Sequence, residues 1–185
     1  MMLPASNLAP GKRTPASTMA TYKTAGLDKT ATVLSFILVG APVAAALVAL
    51  SRGGEVRSVA LIVAAILFVV CSATYAMAPS SYAVSQDRII VRRHFWPSSS
   101  IPMSQVKSCY PYPQLSSTKT FRLIGNGGAF GWYGIYACDE LGTFRMYATN
   151  RSKAVVIGNG AKFVLSPERT ESFVAAVHEY ARTPS

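Results

Sequence analysis

The sequence predicts an α+β, membrane-anchored chain: a two-helix transmembrane hairpin, then a domain of about seven antiparallel strands capped by a C-terminal amphipathic helix. Three observations predict it. Two long apolar runs without a charge stand in the first half of the 185 residues. From residue 82 the texture changes to short apolar bursts separated by turn residues. After residue 166 the apolar spacing changes from the strand period to the helical one.

The first run, residues 32–50, reads TVLSFILVGAPVAAALVAL; the second, residues 58–77, reads SVALIVAAILFVVCSATYAM. As helices rising ~1.5 Å per residue they reach roughly 28–30 Å, the thickness of a hydrocarbon core. Both are apolar on every side, which leaves no solvent face for a helix of a soluble protein. Gly40 and Pro42 should kink the first, as membrane helices tolerate. The link SRGGEVR, residues 51–57, is short enough to force an antiparallel hairpin within a segment spanning residues 32–78. Residues 1–31, rich in Ala, Ser, Thr and Pro and without periodicity, read as a disordered tail.

Only 14% of the chain is charged, yet the net charge is +10. That pairing fits a membrane protein facing anionic lipid better than a nucleic-acid binder, and no nucleic acid is expected as a partner. The tail carries +3, the interhelical link +1 and residues 82–185 +6. The positive-inside rule then places the tail and the domain together in the cytoplasm, with a multi-pass hairpin between them.

In the domain, YAVS and RIIVRRHF flank Gln86-Asp87 as a hairpin. SSSIPMSQVKSCY holds a short strand, a turn at Pro102 and a further strand start. FRLIG precedes a glycine-rich stretch, and GWYGIYAC and GTFRMYA flank Asp139-Glu140-Leu141. KAVVIG and AKFVLS flank Asn159-Gly160, the strongest hairpin dipeptide of the chain. Ser166 reads as a helix N-cap with Pro167 at the first helical position. Phe173, Val174, Val177, Tyr180 and Ala181 then form one apolar stripe.

This order resembles the bacterial pleckstrin-homology-like (PH-like) family. The residues that carry the likeness are Gly127-Gly128, Gly131-Trp132-Tyr133-Gly134, Tyr147-Ala148-Thr149-Asn150, Ser166-Pro167 and Phe173, within residues 82–182. The resemblance implies a split β-barrel of two orthogonal sheets capped by the C-terminal helix, set in a bacterial inner membrane. It implies little about activity.

The stretch GNGGAFGWYGIY, residues 125–136, is not a dinucleotide fingerprint, because Phe130 stands where the third glycine belongs and an aromatic strand pattern follows. It reads either as a backbone device in which glycines supply positive φ, or as a loop dipping Trp132 and Tyr133 into the membrane interface. Arg88, Arg92 and Arg93 are the candidate anionic-lipid contacts; a plain solvated strand face is the alternative. Asp87 stands where a phosphoinositide grip would want a base, so generic attraction is the expectation.

His94 and His178 are the two histidines, and neither stands at nucleophile or metal-ligand spacing. Cys71, Cys109 and Cys138 form no CxxC pair, and spacing leaves open whether Cys109 and Cys138 meet. No catalytic residue, metal or cofactor is expected. The reading is a non-catalytic binding or scaffold module whose partners are the bilayer, anionic headgroups, and a protein or second copy of the chain. An accessory subunit of a membrane enzyme or transporter is the alternative.

Overall fold

The computed structural model describes residues 19–159 and 161–182. The chain begins with a strand, β1 (Ala20–Lys23), then two helices, α1 (Lys29–Ser51) and α2 (Gly54–Met77). Nine strands follow: β2 (Pro79–Val84), β3 (Arg88–Arg93), β4 (Ser99–Pro102), β5 (Ser108–Pro111), β6 (Phe121–Gly128), β7 (Gly131–Cys138), β8 (Gly142–Ala148), β9 (Val155–Asn159) and β10 (Ala161–Leu165). The last element is α3 (Thr170–Arg182).

Helix α1 starts where Asp28 caps it: the backbone there is extended and Oδ1 accepts from Ala31 N at 2.8 Å. It runs on through Pro42 and ends before Arg52-Gly53, after which Gly54, at φ 59°, opens α2. The two-residue link folds α2 back against α1. Both helices are long and apolar enough to cross a membrane. No residue of α2 is buried in the protein, and α1 buries only Ala31, Ser35 and Ala49. The hairpin therefore leaves a large, continuous apolar surface outside the fold, far beyond what a water-facing surface usually carries.

The strands form two sheets. One is four-stranded and antiparallel in the order β1-β2-β3-β4. The other is six-stranded in the order β5-β9-β10-β8-β7-β6. Its pairs are antiparallel except β10 with β8, which run parallel. The two sheets do not join into a closed barrel; an isolated bridge, Thr24–Pro167, links their margins. The expected count of about seven strands, all antiparallel, is thus corrected on both points. Strands as short as the four-residue β4 and β5 give little alternation to read, and a parallel pair leaves no mark in local sequence.

Strand alternation fills both faces of the six-stranded sheet. Val155, Ile157 and Leu165 face the four-stranded sheet and α3, in a core with Tyr82, Ile89, Val91, Ile101, Phe173 and Val177. Val156 and Val164 face the other way, with Leu115, Tyr136, Phe144 and Met146. Helix α3 seals the first core with Phe173 and Val177, while Ala181, expected on its apolar stripe, is exposed.

Two further expectations change. Residues 20–28, assigned to a disordered tail, are built into the fold. Strand β1 pairs with β2, Ala25 N donates to Ser166 O at 2.8 Å, and Glu168 N donates to Lys23 O at 2.9 Å. Residues 1–18 lie outside the described residues, as does Gly160 of the expected hairpin dipeptide, although β9 and β10 on either side do pair antiparallel. Ser166 is not the helix cap either, because α3 begins at Thr170. Its hydroxyl instead accepts from Thr149 N at 2.7 Å and Asn150 N at 3.3 Å, and Pro167 lies in the bridge to Thr24.

Candidate functional site

The glycine stretch and the Tyr147–Asn150 motif converge on the junction where α1 and α2 enter the β-domain. Asp28 is its hub. While Oδ1 caps α1, Oδ2 accepts from Trp132 Nε1 at 3.0 Å and from Arg151 N at 3.3 Å. The Arg151 guanidinium lies 4.2 Å from the Trp132 ring centroid and its Nε is 3.8 Å from Asp28 Oδ2. One carboxylate thus ties a helix start, a strand and the turn after β8 together. The Tyr147–Asn150 motif completes the tie. Thr149 Oγ1 donates to Ala25 O at 2.5 Å, and Asn150 Nδ2 donates to Gly26 O at 3.1 Å. Tyr147 O accepts from Tyr82 Oη at 2.6 Å, and burial pushes the Tyr82 hydroxyl up to about 12.

The β6–β7 hairpin enters between the helices. Its two-residue turn, Ala129-Phe130, places Phe130 at φ 56°, a conformation that bulky residues rarely adopt. The reason lies outside the hairpin. Phe130 N donates to Ser35 Oγ of α1 at 2.7 Å, and the Phe130 ring meets Tyr75 of α2 edge-on at 5.3 Å. Gly128 is where the hairpin approaches α1: an added Cβ would sit 2.8 Å from Leu34 Cδ1. Gly134, at φ 131°, lies opposite Gly125, and a Cβ there would run into the Ile124 carbonyl. Inside the turn, Asn126 Nδ2 donates to Gly131 O at 2.6 Å and also to Ala129 O. The glycine stretch is therefore a backbone device that shapes a wedge, and Gly127 and Gly131 are part of its ladder.

Trp132 and Tyr133 do not form an interfacial loop. They are strand residues only 8% and 5% exposed. Tyr133 Oη donates to Thr74 O of α2 at 2.6 Å, and desolvation raises its hydroxyl to about 12. Alternation sends the two to opposite faces of β7, and both faces are covered: Trp132 meets Asp28 and Arg151, Tyr133 meets α2. Two exposed aromatics, Phe95 and Trp96, at 80% and 50%, lie just after β3. Phe95 N donates to Ala76 O, and His94 stacks on Tyr75 at 4.4 Å, so this loop lies against the domain-side end of α2. The sequence signal for it was the HFWP stretch itself: two aromatics before a proline, next to α2 in the fold though not in the chain.

The three arginines of β3 separate. Arg88 and Arg92 are exposed on one face, opposite buried Ile89 and Val91, as alternation requires. Arg92 pairs in register with Ser81, near the start of β2 and the end of α2, whereas Arg88 lies ~13 Å farther along the strand at ~3.3 Å per residue. Arg93 turns to the inner face, where Nη2 donates to Ser99 Oγ at 2.8 Å and the guanidinium lies 5.3 Å from the Tyr147 ring centroid. It borders a groove of about 480 Å³ between α2 and strands β6–β8.

Cys109 and Cys138 are free thiols in separate apolar clusters on opposite sides of the six-stranded sheet. Asp139 and Glu140 sit exposed in the β7–β8 turn, and His178 is exposed on α3. Phe173 is buried in the core, and Pro167, expected at the first helical position, is buried beside β1 in the bridge to Thr24.

The chain matches no curated protein and no solved structure significantly. The family model described as Bacterial PH domain matches residues 80–181, the span from the first strand after α2 to the end of α3. That match covers more than half of the sequence, and with two packed sheets closed by a C-terminal helix the chain belongs to the bacterial PH domain family.

Proposed function

We propose that the chain is a non-catalytic binding module held at a bacterial inner membrane by α1 and α2, with both termini in the cytoplasm, and that its membrane-facing side contacts anionic lipid. The observation that carries this is the wedge of Phe130 between Ser35 and Tyr75. A flexible tether would let the β-domain tumble. This wedge, with the Asp28 hub and the Tyr133–Thr74 bond, fixes one side of the domain toward the helix ends. That side carries Arg92, Phe95 and Trp96, a pairing of cation and aromatics favoured at a lipid interface. Membership of a family of binding modules supports the rest.

Fractionation of cells expressing the full chain tests the anchor. It should remain in the pellet after an alkaline carbonate wash, and reporters fused at either end should both read cytoplasmic. Recovery in the soluble fraction would reject the reading.

A second reading, capture of a protein strand or of another copy, is favoured by one feature. β6 is a sheet edge, and its Phe121, Leu123 and Ile124 are exposed. Crosslinking through Leu123→Cys in native membranes tests it, since a specific adduct requires a partner at that edge.

A further inference from the structure

Arg93 is the half-buried cation of β3, beside the exposed Arg88 and Arg92. Its Nε is buried and, among the described residues, has no hydrogen-bond acceptor. No carboxylate pairs with it: among the described residues the ion pair found joins Arg151 to Asp28. A half-buried guanidinium with an unmet donor and no anion beside it is costly, and its fork of donors suits a phosphate. The side chain also lines a groove.

The groove has a chemical direction. Val70 and Ala73 of α2 form one wall, and Ile124, Tyr133 and Tyr147 form the other. Val70 and Ala73 lie within the helix segment assigned to the bilayer, one to two turns before Met77. The cavity therefore runs from the apolar flank of a membrane helix to a cation at the domain side. Its volume, about 480 Å³, is that of a small-ligand site. An occupant must be apolar where it meets α2 and anionic where it meets Arg93. A lipid of the adjoining leaflet has that order of parts and needs no route through water to reach it.

Resting on the membrane-anchored reading above, we propose that this groove holds one anionic phospholipid of the leaflet facing the domain. Its phosphate pairs with Arg93, and its upper acyl carbons lie against Val70, Ala73 and Ile124. Arg88 and Arg92, on the opposite face of β3, take no part in the site.

The test uses the full chain in detergent, equilibrated with equal amounts of phosphatidylglycerol and phosphatidylcholine, then washed and examined by native mass spectrometry. Wild type should retain a single phosphatidylglycerol in preference to phosphatidylcholine. Arg93→Gln should lower that retention by about tenfold, the scale of a lost charge-assisted contact. Arg88→Gln should leave it unchanged. Ala73→Trp fills the groove from an exposed helix position, away from the core, and should also abolish retention with Arg93 intact. Equal retention of both lipids, or retention indifferent to Arg93→Gln and Ala73→Trp, would overturn the proposal. So would displacement by soluble glycerol phosphate as effective as by lipid, or a protein found in the groove instead. Carbonate-resistant fractionation of the same variants reads the anchor separately. An intact anchor without lipid retention rejects the groove alone, and loss of wild type from the membrane rejects the reading beneath it.

Discussion

Trp132 Nε1 donates a 3.0 Å hydrogen bond to Asp28 Oδ2, although 104 residues separate the two in the chain. The same carboxylate caps α1, so the helix cannot shift its start without breaking a contact inside the β-domain. This coupling makes the helical hairpin and the β-domain one mechanical unit.

Asp28→Ala removes the cap, at a cost of ~1 kcal/mol, and strands the Trp132 N–H, at ~1–3 kcal/mol more. Asp28→Asn keeps a capping oxygen and forfeits the charge facing Arg151. Unfolding of the detergent-solubilised chain, followed by tryptophan fluorescence, should therefore rank wild type above Asp28→Asn and Asp28→Asn above Asp28→Ala.

Phe130 at φ 56° pits backbone strain against the ring contact with Tyr75. Phe130→Gly relieves the strain and loses the ring; Phe130→Val loses the ring and worsens the strain, because a β-branched residue is the poorest occupant of that region. The valine variant should fall below the glycine variant by ~1–2 kcal/mol in the same unfolding assay. Equal stabilities would mean that the turn relaxes freely and that the wedge is not fixed by the helices.

The chain has two tryptophans, and the fold assigns them opposite surroundings. In nanodiscs containing brominated lipid, Trp132→Phe leaves Trp96, which should be strongly quenched. Trp96→Phe leaves Trp132, buried between Arg151 and Asp28, which should be nearly untouched. Strong quenching of Trp132 would restore the interfacial-loop expectation.

Distance along β3 grades the arginines. Arg88 lies ~13 Å beyond Arg92, more than one Debye length of ~8–10 Å at ordinary ionic strength. Charge reversal at Arg92 should reduce Trp96 quenching in nanodiscs of anionic lipid, and charge reversal at Arg88 should change it little. The difference should fade as salt is raised.

Tyr82, Tyr133 and Tyr136 are each raised from 10.0 to about 12, desolvation being the leading cause in all three. The unfolded chain ionises them near their ordinary value while the folded chain still holds the protons. The stability they support is present below pH 10 and is lost as pH rises toward 12. Cys109, raised from 9.0 to about 12 by burial, starts to contribute to the same decline one unit lower. Near-UV circular dichroism across this range should show a steep alkaline melt. Tyr82→Phe should be less stable at neutral pH, since it loses the bond to Tyr147 O, and should show a shallower alkaline slope.

The sequence alone determined the elements that a local period or composition can specify: two apolar helices, the β2–β3 hairpin with Arg88 and Arg92 outside, positive φ at most glycines of residues 125–134, and most of the apolar stripe of α3. Apolar periodicity is a property of neighbours in the chain, and these features need nothing more. Tertiary structure decided what depended on distant partners. It paired β1 with β2 instead of leaving a loose tail, set β10 parallel to β8, and moved Ser166 from a helix cap to a turn clamp. It also covered both faces of β7 around Trp132 and Tyr133, left Trp96 outside, and set a groove beside Arg93. The physical reason is the same in each case. Which hydrogen-bond partner or apolar wall a side chain meets across tens of residues is a long-range contact, and no local pattern encodes it.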